Sequence, residues 1–467
     1  MLDWKDKKVL VLGLGDTGLS MTRWLARHGA RVSVADSRDA PPHARVLAAE
    51  LMDVRIETGA FRESMFAAAD AIAISPGIDS RQPCVAEAMR RGVPVVGDIE
   101  IFAQALGDVV AAQSTSRPKI IAITGSNGKS TVTAMTGEIA RAAGRRTVVA
   151  GNIGLPVLDA LTEIENGESL PGVFVLELSS FQLESTATLN ADAATVLNVT
   201  EDHLDRYDGM AGYAAAKARI FEGSGIQVLN RADPRTMRMA RPGRSMVTFG
   251  ADAPHDTREW GIADHAMLVH GREPLMPVSE IPVAGLHNAV NVLAALALGD
   301  AIGLPVATML EGVRRFRGLP HRLEKIAEIG GVTFYDDSKG TNVGATVAAL
   351  NGMATPVVLI AGGDGKGQDF SPLAPAVSAR ARAVVLIGRD ADRIEAALAS
   401  CGVPLLRAAT LDDAIACAYG ASESGDSVLL SPACASYDMF NSYVHRGQMF
   451  VQGVQALAAR EAQGRQP

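Results

Sequence analysis

Residues 119–131 read K-I-I-A-I-T-G-S-N-G-K-S-T, a β-branched apolar run that stops at two glycines, a lysine and two hydroxyls. This pattern implies a strand, a tight phosphate-binding loop and a helix that starts near Ser130. Gly125 and Gly128 let the backbone bend so that its N–H groups, those of Ser126 and Asn127 included, point inward at an anion. Lys129 is placed to reach the β- and γ-phosphates of a nucleoside triphosphate, and Ser130 or Thr131 to offer a hydroxyl to Mg²⁺. Ile123 stands where the general pattern has its first glycine, so the loop is the shortened form G-x-x-G-K-S-T. A strand feeding such a loop belongs in an α/β sheet, with the loop at the strand's C-terminal end.

The 467 residues are too many for one core and suggest about three domains. Hydrophobic residues make up 48% of the chain and aromatics only 4%, so the cores are expected to be aliphatic and helix-rich. The formal net charge is −8 and no long lysine/arginine run is present, which argues against nucleic acid as a partner. Phosphate binding must then rest on local loops. Cys84, Cys401, Cys417 and Cys434 are scattered without metal-ligand spacing and read as buried thiols in a reducing compartment. The start, M-L-D-W-K-D-K-K, is polar and runs straight into a strand, with no signal peptide. No apolar stretch reaches the ~18 residues of a membrane span. A soluble, cytoplasmic, monomeric protein with no membrane insertion is the expectation.

Three α/β units follow one another. The first opens with K-V-L-V-L (8–12), then G-L-G-D-T-G (13–18), a helix to His28, and R-V-S-V-A (31–35) ending on Asp36. A-I-A-I-S-P-G (71–77) and V-P-V-V-G-D (93–98) continue the alternation, which predicts a parallel, doubly wound sheet. NAD, with Asp36 on a ribose hydroxyl, is the obvious inference from glycine loop and terminal acid. The unit spans only about one hundred residues before the second nucleotide loop and shows no partner half, however, which tells against it. A single mononucleotide-type half could instead hold another nucleotide such as a UDP-sugar. Residues 111–118 (A-A-Q-S-T-S-R-P) read as a loop or insertion near a boundary. The central unit then runs to about residue 318, with strands at 147–150, 173–178 and 194–199; residues 251–280 receive no assignment. After G-L-P (318–320) the third unit carries strands at 357–361, 383–387 and 427–431. The expected domains are 1–98, 99–318 and 319–467.

Several polar segments sit where α/β sheets put their ligands. Glu177 ends the strand V-F-V-L-E-L and is either a Mg²⁺ partner or a helix-capping acid. N-V-T-E-D-H-L-D-R-Y (198–207) packs acids around His203, and Lys217 lies on the next helix. Y-D-D-S-K-G-T-N (335–342) and G-G-D-G-K-G (362–367) are exposed turns or ligand loops.

Taken together, these segments resemble the Mur ligases over essentially the whole chain. G-S-N-G-K-S-T, E-L-S-S-F-Q-L and N-V-T-E-D-H-L-D-R-Y are similar to the family's central ATPase domain. V-L-G-L-G-D-T-G-L-S, D-D-S-K-G-T-N and L-S-P-A-C-A-S look like the member that joins D-glutamate to UDP-N-acetylmuramoyl-L-alanine. The resemblance implies three domains: a Rossmann-like half for the UDP-sugar, a P-loop ATPase domain with a mostly parallel sheet, and a Rossmann-like domain closing over both. It implies ligation through an acyl phosphate, two Mg²⁺ ions, and a carbamylated lysine at Lys217. By the same transfer Ser130 and Glu177 serve one ion and His203 the other. Asn291, Arg322 and Asp337 would contact ATP. Asp16, Thr17, Asp36, Ser37, Arg38, Gly77 and Asn152 would hold the UDP-sugar, and Thr341, Lys366, Ser436 and Tyr443 the incoming amino acid. The family pattern has phenylalanine at the last of these positions. A folylpolyglutamate-type ligase shares the central domain but is not expected to carry the N-terminal unit. A nicotinamide dehydrogenase and an ATP-driven switch are the alternatives from other classes.

Overall fold

The computed structural model describes residues 3–113, 116–203, 206–264, 266–283 and 285–464. Two compact units emerge: Met1–Asn198 with Ala211–Phe249 and Ala294–Gly312, and Val199–Met210 with Gly250–Leu293 and Val313–Pro467.

The first unit contains two parallel arrays. One sheet comprises β1 (Lys8–Leu12), β2 (Arg31–Asp36), β3 (Arg55–Thr58), β4 (Ala71–Ile74) and β5 (Val95–Val96). Its order is β3-β2-β1-β4-β5, with every pair parallel. The other array comprises β6 (Lys119–Thr124), β7 (Thr147–Gly151), β8 (Val173–Glu177), β9 (Ala193–Val196), β10 (Ile226–Asn230) and β11 (Met246–Phe249). These lie in the order β11-β10-β9-β6-β8-β7, again parallel. Helices cover both faces of a parallel sheet, so its inner strands carry unbroken apolar runs in place of alternation. β8 is buried at every position and β6 at all but its first.

The second unit holds a short antiparallel meander of β12 (Glu259–Ala263), β13 (Met267–His270) and β14 (Glu273–Pro277). It also holds a sheet of β15 (Glu324–Ile329), β16 (Val332–Asp336), β17 (Val357–Gly362), β18 (Ala381–Ile387), β19 (Leu405–Arg407) and β20 (Ser427–Leu430). That sheet runs β15-β16-β20-β17-β18-β19, and only β15 is antiparallel. Val358, Leu359, Ile360 and Ala361 of β17 are fully buried, giving the aliphatic core that the composition implies.

Two expectations need correction. The segment at 111–118 is not all loop, because helix Asp98–Gln113 carries its first three residues. Of the four cysteines, all free, only Cys434 is buried; the others are partly exposed. Burial pushes the Cys434 thiol up to about 12, so it stays an inert, protonated thiol. Among the described residues no helix is long and apolar enough to cross a membrane.

Candidate functional site

The shortened loop forms as its composition requires. β6 ends at Thr124 and helix Lys129–Ala142 begins four residues after Gly125, with Gly128 in the left-handed region at φ 83°. A side chain is disfavoured there, so the glycine is what lets the loop turn into the helix. Asn198, just past β9, clamps the loop, so the Ser126 and Asn127 amides do not point at an anion as expected but donate to this residue. The Asn198 carbonyl accepts from the Ser126 amide at 2.9 Å and its side-chain oxygen from the Asn127 amide at 2.8 Å. The Asn198 side-chain amide in turn donates to the Asn127 carbonyl at 3.0 Å. The Lys129 ammonium curls back to donate to the Gly125 carbonyl at 2.8 Å and the Ser126 carbonyl at 3.0 Å. Ser130 and Thr131, in the first helical turn, are both buried.

Glu177 shares this edge because β8 pairs with β6, Ile123 facing Glu177 in register. It is 2% exposed. Oε1 accepts from the Asn152 side-chain amide at 2.8 Å, and the Glu177 carbonyl from the Asn152 backbone amide at 2.8 Å. Gly151, at φ 109°, allows this approach; a Cβ there would lie 2.4 Å from the Glu177 carbonyl oxygen. Oε2 is buried with no hydrogen-bond partner among the described residues. An ionised oxygen so placed is costly to bury and suits a cation. Lys217 comes to the same loop from helix Gly209–Ala218. It is 1% exposed, donates to the Gly125 carbonyl at 2.9 Å, and lies 4.5 Å over the Tyr213 ring. Tyr213 reaches the loop as well, its hydroxyl 3.3 Å from Ser126 Oγ.

The glycine loop after β1 is built differently. Asp36 Oδ2 accepts from the Leu14 amide at 2.7 Å and from Arg38 Nη2 at 2.5 Å; Oδ1 accepts from the Arg38 amide at 2.9 Å and from Nε at 2.8 Å. Burial raises the carboxyl's pKa, but the guanidinium and the two amides outweigh it and hold the group at about 2. Asp16 and Thr17 open the following helix, with Asp16 Oδ1 2.7 Å from His43 Nε2. Ser37 and Arg38 are exposed, and Gly77 follows β4 by three residues.

The second unit gathers the remaining candidates. Asp202 holds the Lys366 ammonium at 2.9 Å and lies 3.4 Å from the Asn342 side-chain amide. His203 and Lys366 both have positive φ, 54° and 50°, a strained conformation for their type. Leu204 and Asp205 of the same motif lie outside the described residues. Asn291 donates to the Asn288 side-chain oxygen at 3.2 Å. Burial pushes the Asp337 carboxyl up to about 7, even though Ser431 Oγ donates to it at 2.7 Å and the Arg322 charge opposes the rise. The Lys339 ammonium lies 3.8 Å over the Tyr443 ring, Ser436 is buried and Thr341 half-buried.

Sequence reasoning assigned no role to Asn198, Asp202 or Arg446. Arg446 is 1% exposed and donates to the Ser338 hydroxyl and carbonyl at 3.0 and 2.8 Å and to the Cys434 carbonyl at 3.1 Å. It thereby ties the loop after β16 to the loop after β20. Burial lowers its pKa to about 10, which leaves it charged at neutral pH. Asn198 and Asp202 lie inside the quoted N-V-T-E-D-H segment, so their motif was visible while their contacts were not.

Known proteins agree with this layout. Residues 7–97 match the MurD-like N-terminal domain of Mur ligases, 123–299 the Mur ligase middle domain, and 321–434 the Mur ligase glutamate ligase domain. The UDP-N-acetylmuramoylalanine–D-glutamate ligase of Thiobacillus denitrificans is 59% identical over 470 residues, covering 99% of each chain. The protein of that name from Methylobacillus flagellatus is 54% identical over 464 residues, again covering 99% of each. Among solved structures, the UDP-N-acetylmuramate–alanine ligase of Thermotoga maritima superposes with a TM-score of 0.60 at 20% identity, covering 97% of this chain and 100% of its own. Folylpolyglutamate synthase of Mycobacterium tuberculosis, solved with ADP and AMPPCP, reaches 0.54 at 19% identity and covers 79% of this chain and 96% of its own. With three successive domain matches and relatives this close over their full length, the chain belongs to the Mur ligase family.

Proposed function

We propose that the chain is an ATP-dependent ligase that adds D-glutamate to UDP-N-acetylmuramoyl-L-alanine in peptidoglycan precursor synthesis, releasing ADP and phosphate. Relatives of that name, 59% and 54% identical over 99% of the chain, support the substrate pair. The structural observation that carries the reading is Glu177 Oε2, buried and without a partner among the described residues, on the same sheet edge as the Lys129 loop.

An unactivated carboxylate resists attack by an amine, so the γ-phosphoryl of ATP first converts the L-alanine carboxylate to an acyl phosphate. The amino group of D-glutamate then adds, and phosphate leaves. The loop amides from Gly128 to Thr131 cradle the phosphates, those of Ser126 and Asn127 being held by Asn198, while Lys129 exchanges its carbonyl partners for phosphate oxygens as charge builds on them. Glu177 and Ser130 fit one Mg²⁺ and His203 a second, which would screen the triphosphate from the attacking carboxylate. Lys217 is carbamylated in this reading: a free ammonium repels a divalent cation, whereas a carbamate offers hard oxygens. Its burial against the loop supports that role. Asn291, Arg322 and Asp337 contact ATP. Asp16, Thr17, Ser37, Arg38, Gly77 and Asn152 contact the UDP-sugar, with Asp36 shaping that loop. Thr341, Lys366, Ser436 and Tyr443 receive D-glutamate. The domains divide at 98 and 318, and the protein works as a cytoplasmic monomer, where ATP and a UDP-linked substrate are supplied together.

The test is phosphate release from ATP with UDP-N-acetylmuramoyl-L-alanine, each candidate amino acid being offered separately. Release that requires D-glutamate is expected. Release without any acceptor, or only with a different amino acid, would overturn the reading.

A further inference from the structure

Thr341 and Lys366, both assigned to D-glutamate, leave the second unit's sheet on loops that its strand ladder does not join. Thr341 follows β16 and Lys366 follows β17, and β20 stands between those two strands. Gln368, 4% exposed, spans the gap. Its Oε1 accepts from the Val343 amide at 3.1 Å and its Nε2 donates to the Gly365 carbonyl at 2.9 Å. Val343 opens helix Val343–Gly352 two residues after Thr341, and the first amides of a helix have no acceptor within it. Asn342 Oδ1 caps the Ala345 amide at 2.8 Å, and Gln368 serves Val343 from across the sheet edge.

The Lys366 loop is pinned on its other side too. Asp390 Oδ2 accepts from the Gly365 amide at 2.7 Å, Asp364 Oδ1 from the Lys366 amide at 3.0 Å, and Arg393 Nη2 donates to the Gln368 carbonyl at 2.9 Å. The strained Lys366 backbone, at φ 50°, persists because these contacts over-determine it. The ammonium is thereby delivered to Asp202 at 2.9 Å, whose second oxygen lies 3.4 Å from the side-chain amide of Asn342, next to Thr341. We infer, on the D-glutamate assignment of Thr341 and Lys366, that Gln368 is a positioning residue for the amino-acid substrate. It sets the spacing at which the Lys366 ammonium and the Thr341 hydroxyl meet the carboxylates of D-glutamate. A side-chain amide is needed because its two partners are opposite in kind, an N–H and a C=O; a carboxylate suits only the first and a thioether neither. Left unpaired in a buried site, those two groups draw the loop toward other partners and carry Lys366 with it.

Steady-state kinetics of the full-length protein, with each substrate varied in turn, test this in wild type, Gln368→Met, Gln368→Glu, Lys366→Met and the double variant Gln368→Met/Lys366→Met. Gln368→Met, of similar length, should raise KM for D-glutamate about tenfold and leave KM for ATP and for UDP-N-acetylmuramoyl-L-alanine within about twofold. A merely structural glutamine would lower the melting temperature and the active fraction, hence kcat, without singling out one substrate. Gln368→Glu keeps the acceptor for Val343 and should give a smaller rise of about threefold, so the prediction stands even if the methionine variant does not fold. Lys366→Met alone should raise the D-glutamate KM at least about tenfold through the lost ion pair. In that background Gln368→Met should add less than about twofold, because it acts through the lysine. If Lys366→Met raises the D-glutamate KM while both Gln368 variants leave it unchanged, the positioning role is overturned. Equal rises for all three substrates, or full additivity in the double variant, would overturn it as well. An unchanged D-glutamate KM in Lys366→Met would instead overturn the assignment of Lys366, and the role of Gln368 with it.

Discussion

Two strand-end carboxylates in the first unit, Asp36 on β2 and Glu177 on β8, invite comparison. Both are nearly inaccessible, 1% and 2% exposed, and both stand beside a glycine-bearing loop. Asp36 spends its oxygens on four donors from Leu14 and Arg38, whereas Glu177 has one oxygen on Asn152 and one on nothing in the described chain. A saturated carboxylate is a structural part: it fixes the shape of the loop that meets the ligand. A half-saturated one is destabilising in the free protein by about 1–3 kcal/mol, more when charged, and is understandable only if a cation completes it. Equal burial and equal position on the sheet therefore conceal opposite uses.

The largest effect expected from breaking this comparison is at Lys217, the cation brought to the Glu177 edge. Lys217→Ala should lower kcat about 10³-fold or more, and acetate or formate should restore part of it by filling the vacated carboxylate position. Full activity in the alanine variant would contradict the carbamate assignment. Next, Glu177→Gln should lower kcat about 10²–10³-fold while leaving the melting temperature little changed, because Oε1 keeps its Asn152 partner and the other position has no hydrogen bond to lose among the described residues. A lower melting temperature with near-normal turnover would make Glu177 the structural residue instead.

The smallest effect belongs to Asp36→Asn, which should mainly destabilise. The wild-type carboxyl is held at about 2, below the 3.8 of an unperturbed aspartate, so its contribution is present above about pH 4 and lost as pH falls through 2. That contribution is about 2 kcal/mol, so the melting-temperature gap between wild type and Asp36→Asn should be open at pH 7 and narrower at pH 3. A gap that widens on acidification would refute the saturated-carboxylate account.

Much of this contrast lay beyond the sequence. The parallel α/β character of each unit was legible because doubly covered strands such as β1, β6 and β17 are unbroken apolar runs ended by glycine or a polar residue. Residues 251–280 resisted reading for the opposite reason. Their strands are short, β14 carries Pro274 and Pro277, and a register shift at Leu268/Val269 breaks the alternation. Glycines and lysine marked the phosphate loop, but its clamp by Asn198 depends on β9 pairing beside β6, which no local pattern encodes. Arg446 was hidden likewise: in Y-V-H-R-G-Q it reads as a surface cation, and only the packing of the last helix buries it. Asp36 and Glu177 are both acids at strand ends in sequence. Their difference arises from Arg38 folding back on one and no second donor among the described residues reaching the other.

The most direct measurement is the Mg²⁺ dependence of binding a non-hydrolysable ATP analogue, followed by calorimetry in wild type, Glu177→Gln and Asp36→Asn. If Glu177 Oε2 waits for a cation, wild type and Asp36→Asn should gain affinity equally as Mg²⁺ is raised, and Glu177→Gln should lose most of that gain while keeping its Mg²⁺-free affinity. An undiminished Mg²⁺ effect in Glu177→Gln, or its loss in Asp36→Asn, would contradict the account.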